Sequence, residues 1–144
     1  MPNPPPVTLR QIMTPHVITV SMDDSLRAVR QLFDEHRFHH LLVVEGRKLI
    51  GVISDRDLFR HLSPFLGHDL SERSQDLATL NQRAHQIMTR KPISASPDTT
   101  VQEAIATILE HRISCLPVVD ENSHPVGIIT WRDILKTLAT DEQI

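Results

Sequence analysis

The chain contains one segment of about fifty residues twice. Residues 12–62 and 87–138 align with Ile12 on Ile87, and a single residue is inserted before Gly127. Both copies carry, in the same order, Ile-Met-Thr, Ser-x-Asp, Glu-His-Arg, Leu-x-Val-Val and Gly-x-Ile-x-x-Arg-Asp. Such a collinear series indicates duplication, and each copy of a duplicated segment is expected to form the same supersecondary unit. The fold must therefore be built from two copies of one unit.

Each copy has the pattern of a β-α-β-β-α unit. A short extended piece precedes a segment with apolar residues at helical spacing, and Thr100-Val-Gln-Glu103 has the form of a capping box in the second copy. Two runs rich in β-branched residues, joined by a short polar turn, then predict a hairpin, and a final helix begins at Asp55 or Trp131. The predicted strands are 17–20, 41–44 and 49–54 in the first copy and 92–95, 116–119 and 126–130 in the second.

A single unit of this size has too little core to be stable alone, so the two copies are expected to pack with pseudo-twofold symmetry. The predicted fold class is α/β (α+β), with equivalent clefts between the two repeats. The predicted organisation is a proline-rich tail at 1–11, the first repeat at 12–62, a linker with a short helix at 63–86, the second repeat at 87–138 and a tail at 139–144.

Composition argues against several classes of protein. Fifteen basic and eighteen acidic residues give a net charge of −3, whereas a nucleic-acid-binding surface normally shows a basic excess. The single Cys115 cannot form an internal disulfide, and no apolar run approaches the roughly 20 residues of a membrane helix. We therefore expect a soluble, cytoplasmic protein with no nucleic-acid and no membrane partner.

The repeat resembles the CBS domain family. The resemblance covers both copies, about 100 of the 144 residues, and implies a pair of repeats that binds adenosine-containing ligands, signals energy state, and modulates an attached or separate protein. The first copy departs from the family pattern in having Leu42 where the second has Pro117. The residues that carry the resemblance are Met13-Thr14, Met88-Thr89, Arg112-Ile-Ser-Cys-Leu-Pro-Val-Val119, Gly51-Val-Ile-Ser-Asp-Arg-Asp57 and Gly127-Ile-Ile-Thr-Trp-Arg-Asp133.

A Ser/Thr-x-x-Asp motif lies at the predicted strand-to-helix junction of each copy, as Ser54-x-x-Asp57 and Thr130-x-x-Asp133. A carboxylate can accept hydrogen bonds from both vicinal hydroxyls of a ribose, and the N-terminus of a helix favours an anion such as phosphate. The same motif also resembles a helix cap, and duplication copies a cap as faithfully as a binding site. The resemblance to the CBS family favours the contacts with ribose and phosphate.

The base-binding residues are expected from the resemblance alone. In the family, the matching segments hold adenine by apolar contact and backbone hydrogen bonds. Core packing is the alternative for Ile18 and Ile93, and one side chain can do both. The predicted residues are Val17, Ile18, Thr19, Pro92, Ile93 and Ser94.

Four basic or titratable residues are candidates for contacts with phosphate. By the family pattern, His39 and His40 fall just before the hairpin, where some CBS proteins place basic residues on ligand phosphates. Arg56 and Arg132 lie in the first turn of the final helices and could neutralise phosphate. An exposed position on the helix face is the equally good alternative for both arginines.

Metal binding and thiol catalysis are both disfavoured by the pattern. His36 lies close to His39 and His40, but one tight cluster lacks the further ligands of a closed zinc site. Ser114 and Cys115 replace the histidine pair in the second copy, where a small buried cysteine is the common case. We expect no metal and no catalytic cofactor.

These observations predict a small-molecule sensor and not an enzyme: a free-standing CBS pair that binds AMP, ADP, ATP or a related adenosyl compound such as S-adenosylmethionine. The alternative is a protein-interaction scaffold with empty or vestigial clefts. A homodimer is also expected, with a client protein that the sequence does not identify, because the final helices carry more apolar residues than one small unit buries. These residues are Leu58, Leu62, Ile134, Leu135 and Leu138.

Overall fold

The structure is a computed structural model that describes residues 5–61 and 78–142, with 140–142 described by their backbone alone. The helices are α1 (Leu9–Ile12), α2 (Leu26–Glu35), α3 (Asp55–His61), α4 (Ala84–Ile87), α5 (Val101–His111) and α6 (Trp131–Glu142), and residues 78–80 are also helical. The strands are β1 (Thr19–Ser21), β2 (His40–Glu45), β3 (Lys48–Ser54), β4 (Thr89–Arg90), β5 (Cys115–Val119) and β6 (Pro125–Thr130).

The chain forms two compact units whose limits differ from those of the sequence repeats. One unit, the inserted unit, is the continuous segment Ile18–Pro92. The other, the split unit, combines Met1–Val17 with Ile93–Ile144. The opening Ile-Met-Thr segment of each copy therefore belongs to the unit that contains the hairpin of the other copy.

The inserted unit contains one four-stranded sheet in the order β1-β2-β3-β4. Strand β1 is parallel to β2, whereas β2 with β3 and β3 with β4 are antiparallel. Leu41 and Val43, two residues apart on β2 as the period of a strand requires, enter a core with Ile53 of β3 and one face of α2. The core residues are Val20, Leu26, Val29, Leu41, Val43, Ile53, Leu58, Ala84 and Ile87.

The split unit repeats this arrangement, but single backbone bridges replace the two outer strands. Strands β5 and β6 form an antiparallel hairpin, and single bridges flank it, a parallel one from Ala95 to Val118 and an antiparallel one from Thr14 to Ile128. These bridges lie where the inserted unit has β1 and β4. The core residues are Leu9, Val101, Ala104, Ile108, Leu116, Val118, Ile129 and Ile134.

A methionine–glycine contact explains two of the repeated sequence landmarks. A Cβ atom on Gly51 would lie 2.9 Å from Cγ of Met88, and one on Gly127 would lie 2.8 Å from Cγ of Met13. Both distances are too short for two carbon atoms, so the hairpin needs glycine wherever the methionine of the other copy packs against it. The Ile-Met-Thr and Gly-x-Ile patterns thus form the two sides of one contact in each unit.

Most of the predicted elements are confirmed. Both hairpins form, the final helices begin at Asp55 and Trp131, and Thr100 Oγ1 accepts the backbone N–H of Glu103 at 3.1 Å as a helix cap. The strand predicted at 92–95 is wrong, because that segment makes only the single bridge at Ala95. Of the predicted linker, residues 63–77 lie outside the described residues, and the short helix before the second copy is α4 together with 78–80.

The apolar residues of the final helices divide into two groups. Leu58 and Ile134 are buried in their own units, with exposed fractions of 1% and 3%. Leu135 and Leu138 are 59% and 55% exposed, and Leu62 lies outside the described residues. Among the helices of the described residues, none is both long and apolar enough to span a bilayer.

Candidate functional site

The two Ser/Thr-x-x-Asp motifs occupy equivalent strand-to-helix junctions. Ser54 is the last residue of β3 and Thr130 the last of β6, and a helix begins at the next residue in each case. Asp57 and Asp133 therefore lie in the first helical turn, and all four side chains are half-buried. The unpaired backbone N–H groups of a first helical turn attract negative charge, so each junction is a polar site with both donors and acceptors.

At the junction of the inserted unit, two reciprocal hydrogen bonds close the turn. The backbone N–H of Ser54 donates to Oδ2 of Asp57 at 3.0 Å, and the backbone N–H of Asp57 donates to Oγ of Ser54 at 3.1 Å. This is the geometry of a capping box. It leaves the hydroxyl proton of Ser54 outside the cap, because that hydroxyl acts as an acceptor.

At the junction of the split unit, the carboxylate is held differently. The backbone N–H of Thr130 donates to Oδ2 of Asp133 at 2.9 Å, and the hydroxyl of Thr130 donates to the same oxygen at 3.2 Å. The hydroxyl of Thr14 donates to Oδ1 of Asp133 at 3.2 Å. Thr14 itself is held at the edge of β6 by two backbone hydrogen bonds with Ile128.

The helix-cap interpretation therefore describes both contacts of the Ser54/Asp57 motif, but at Thr130/Asp133 it describes only the bond from the backbone N–H of Thr130 to the carboxylate. It does not compete with the interpretation as a binding site, because each cap uses only part of the hydrogen-bonding capacity of the carboxylate. A cap also fixes the side-chain rotamer, and a fixed rotamer lowers the entropy that a carboxylate loses when it binds a ligand. The same residues can serve both purposes.

The predicted histidine pair lies beside the junction of the inserted unit. His40 pairs with Ser54 across β2 and β3, and His39 Nδ1 lies 2.7 Å from Oδ2 of Asp55. Burial lowers the pKa of His40 below its usual value, and His39 also lowers it, whereas Asp55 and Asp57 act to raise it. His40 is therefore mainly neutral at pH 7, and a nearby anion would favour its protonation.

The second copy offers no titratable pair at this position. Cys115 pairs with Thr130 across β5 and β6 and is buried, and burial raises the pKa of its thiol to about 12. A thiol with that pKa is protonated at neutral pH and is a poor nucleophile. Thiol catalysis by Cys115 is therefore not supported by its environment.

The predicted base-contacting segments lie where the chain passes from one unit to the other. Ile18 packs against the core of the inserted unit and Ile93 against that of the split unit, so both side chains also serve the core. Val17 and Pro92 are half-buried, and Thr19 and Ser94 are exposed.

The backbone is strained just before both of these segments. His16 and Lys91, which occupy equivalent positions, have φ values of 57° and 50°. Residues other than glycine in this region cost of order 1–3 kcal/mol and cluster at functional sites. Sequence inspection gave no indication of this strain, because neither position carries the glycine that commonly marks it.

A recess of about 350 Å³ opens beside Asp133 and adds residues that sequence reasoning missed. Met13, Thr14, Lys136 and Thr137 contribute to its walls. Lys136 follows Asp133 by three residues on α6, so helical periodicity could have placed it there. Nothing in the sequence pointed to a contact between Thr14 and Asp133.

The remaining candidates are two exposed arginines and a histidine that contacts an aromatic ring. Arg56 and Arg132 are exposed in the first turns of α3 and α6. His36 stacks on Phe38, with ring centroids 5.3 Å apart. Within residues 5–61 and 78–142, no three or more His, Cys, Asp or Glu side chains are grouped so as to hold a metal ion.

Two units with equivalent hairpins, each with a polar strand-to-helix junction, define a tandem-repeat module with two related junctions. The chain belongs to the CBS domain family: the family profile, described as CBS domain, matches residues 9–64 and 84–140. The structure and the family thus agree on a pair of CBS repeats.

Relatives of the chain include a larger enzyme and isolated CBS pairs. Inosine-5'-monophosphate dehydrogenase of Korarchaeum cryptofilum is 35% identical over 118 residues, which span 82% of this chain but only 21% of the dehydrogenase. The CBS domain pair of protein MJ0100, solved in complex with 5'-methylthioadenosine and S-adenosyl-L-methionine, is 26% identical, with a TM-score of 0.76 and coverage of 95% of this chain and 99% of that chain. CBSX2, a CBS-pair protein from Arabidopsis thaliana, has the same fold at 24% identity, with a TM-score of 0.80 and coverage of 97% and 99%.

Proposed function

We propose that this chain is a regulatory module that binds an adenosine-containing ligand, with AMP, ADP, ATP and S-adenosylmethionine as the candidates, and that it does not itself catalyse a reaction. Asp57 and Asp133 would accept the ribose hydroxyls, and Ser54 and Thr130 would contact the sugar or phosphate. The two ligands of the MJ0100 pair support this class, because both contain the adenosine group that the candidates share.

The observation that carries the proposal is the pair of half-buried carboxylates in equivalent first helical turns. Each is held by the last residue of the preceding strand, so its oxygens have defined positions before any ligand arrives. A vicinal diol donates two hydrogen bonds, and a carboxylate of fixed orientation is a suitable partner for both. The helix N-terminus at the same junction favours a phosphate.

The test must distinguish the role of Asp57 and Asp133 as helix caps from their proposed role as ligand contacts. Asp57→Asn and Asp133→Asn each keep one oxygen that can accept the cap N–H, but they remove the charge and one acceptor. We expect each substitution to weaken AMP or S-adenosylmethionine binding at its own site by about tenfold to a hundredfold, the scale of a hydrogen bond to a charged group. Isothermal titration calorimetry measures the affinities, and thermal unfolding checks that the fold is intact.

Asp98→Asn is the matched control, because it removes the same charge from a side chain that is 82% exposed and pairs with Arg10. Binding should be unchanged in this variant. If the combined Asp57→Asn and Asp133→Asn variant binds as tightly as the wild type, both carboxylates are helix caps alone and the proposal is wrong.

Regulation by such a module requires that the ligand prefers one arrangement of the protein over another. The match to a small part of a longer dehydrogenase is consistent with repeats of this kind acting beside a catalytic region. We propose that the client is either a further region of a longer polypeptide or a separate protein, and that the bound ligand alters its activity.

A scaffold that binds a protein through its surface is the second candidate function, and the exposed apolar side chains of α6 favour it. A thermal-shift panel distinguishes the two. A ligand at 100 times its Kd stabilises the native state by about 2.7 kcal/mol, so adenine nucleotides should raise the Tm of a sensor. A Tm unchanged by millimolar AMP, ATP and S-adenosylmethionine would favour the scaffold.

A further inference from the structure

The two junctions differ in how many hydrogen bonds their carboxylates already accept. Asp133 accepts three, from the backbone N–H and hydroxyl of Thr130 and from the hydroxyl of Thr14. Asp57 accepts one from the described residues, the backbone N–H of Ser54. An ionised carboxylate offers about four lone-pair sites. Counted over the hydrogen bonds given for residues 5–61 and 78–142, Asp57 thus keeps about three of these lone-pair sites for a ligand, and Asp133 keeps about one.

This count matters because a vicinal diol donates two hydrogen bonds. Asp57 can accept both without losing its cap. Asp133 can accept only one unless an existing donor leaves. The backbone N–H of Thr130 ends a strand and cannot turn away, and the hydroxyl of Thr130 donates from the same residue. The hydroxyl of Thr14 is exposed and can rotate to water while its backbone stays paired with Ile128.

We infer that Thr14 competes with the ligand for Asp133 and thereby weakens recognition of the ribose diol in the split unit. The inference rests on the proposed function and deepens it, because it makes the two sites unequal in a defined way. The site at Asp57 distinguishes ribose from deoxyribose, whereas the site at Asp133 does not, since its second hydrogen bond to the sugar only replaces the one from Thr14.

The duplication supplies a matched control. Thr89 aligns with Thr14 in the Ile-Met-Thr motif and lies on β4 opposite Val52, but within the described residues it donates no hydrogen bond to Asp57. Removing the hydroxyl of Thr89 should therefore have no effect on diol recognition, although the two threonines occupy equivalent positions in sequence.

The experiment compares AMP with 2'-deoxy-AMP at one site at a time. The background Asp57→Asn leaves the split-unit site to be measured, and the background Asp133→Asn leaves the inserted-unit site. At the split-unit site, AMP and 2'-deoxy-AMP should bind within about threefold of one another, and Thr14→Val should increase the preference for AMP to about tenfold. At the inserted-unit site, AMP should be preferred by about tenfold with or without Thr89→Val.

The ratio of the affinities for AMP and 2'-deoxy-AMP shows whether Thr14 competes with the ligand or only supports the structure of the junction. A substitution that merely loosens the junction changes the affinity for both ligands by the same factor, and Thr14→Ser, which keeps the hydroxyl, should behave as the wild type. Equal discrimination at the two sites, or a ratio that Thr14→Val leaves unchanged, overturns the inference while the proposed function stands. Absence of AMP binding at both sites in the wild type overturns both.

Discussion

The side chain of His40 is half-buried at the start of β2, where burial and nearby charges act on it in opposite directions. Burial is the largest influence and lowers its pKa; His39 adds to this, and Asp55 and Asp57 oppose it. The unfolded chain, with an ordinary histidine pKa of 6.5, therefore binds more protons than the native state in mildly acidic solution. The free energy of unfolding must then decrease as the pH falls through and below that value.

We predict that His40→Gln weakens this acid dependence. The stabilisation from a neutral His40 is fully present above pH 6.5 and is lost as the pH falls, so the wild type should lose stability between pH 7 and 5.5. The variant should lose less over the same interval, because glutamine does not titrate. Urea unfolding at several pH values measures the difference, and His111→Gln on the exposed end of α5 is the control. If the free energies of unfolding of the wild type and His40→Gln change with pH in parallel, the acid dependence does not come from His40.

For individual residues, the sequence identified the candidate site residues more reliably than it identified the residues that they contact. The Ser/Thr-x-x-Asp spacing led to the junctions and to both of their interpretations, since a contact between residues three positions apart can be inferred from local geometry. The contact from Thr14 to Asp133 joins residues 119 positions apart, and only the folded chain reveals it.

At the scale of elements, each hairpin packs closely against a methionine from the other copy, and the glycine of the hairpin makes this close approach possible. A methyl group at Gly51 would overlap Met88, with Cβ of that side chain only 3.1 Å away, so the clash cannot be relieved by moving the sulfur alone. The corresponding contact between Gly127 and Met13 has nearly the same geometry.

We predict that Gly51→Ala lowers the free energy of unfolding by about 1–3 kcal/mol, the usual cost of overpacking. Combining it with Met88→Ala should cost less than the sum of the two single substitutions, because the clash disappears with the long side chain. Met13→Ala is the matched control, since Met13 packs against Gly127 in the other unit, and its effect should add to that of Gly51→Ala. Urea denaturation of the wild type, the three single variants and the two double variants provides the six free energies of unfolding, and equal coupling of Gly51→Ala with both methionine substitutions would refute the contact.

The sequence predicted the hairpins and the final helices because these are local structures with clear periodicity and polar turns. It failed at 92–95, where the apolar and small residues of an extended segment do not show how many backbone pairs will form. The parallel pairing of β1 with β2 was also not predicted, because a parallel partner is reached only through the intervening helix α2.

At the scale of the whole molecule, α6 presents an apolar stripe to solvent. Trp131, Leu135 and Leu138 are spaced by four and three residues and are 37%, 59% and 55% exposed. An apolar recess of about 230 Å³, lined in part by Val7 and Ile105, adjoins Leu138. A contiguous apolar surface of this kind commonly marks an interface between proteins.

We expect this stripe to mediate a homodimer. Leu135→Glu with Leu138→Glu should convert a dimer at tens of micromolar into a monomer, because a glutamate at each position leaves buried charge at a twofold interface. Light scattering measures the mass. Leu109→Glu, an exposed leucine on α5, is the control and should leave the dimer intact. A wild-type protein that is monomeric under these conditions would exclude the interface.

The division of the chain into units is the feature that the sequence could not supply. A repeat alignment shows which segments are similar, but Met13 and Met88 are interchangeable in such an alignment. Which hairpin each one packs against depends on the path of the chain in space. The structure places each methionine with the hairpin of the other copy.

This connectivity also sets an order of events during synthesis. The inserted unit is continuous, so its residues leave the ribosome in one uninterrupted stretch, whereas residues 8–17 emerge before that stretch and the hairpin that they pair with, β5 with β6, emerges after it. At 5–20 residues per second, that delay is on the order of ten seconds. During that time Leu9, which is fully buried in the folded unit, has no core to enter. The inserted unit can therefore be complete before the split unit begins to close.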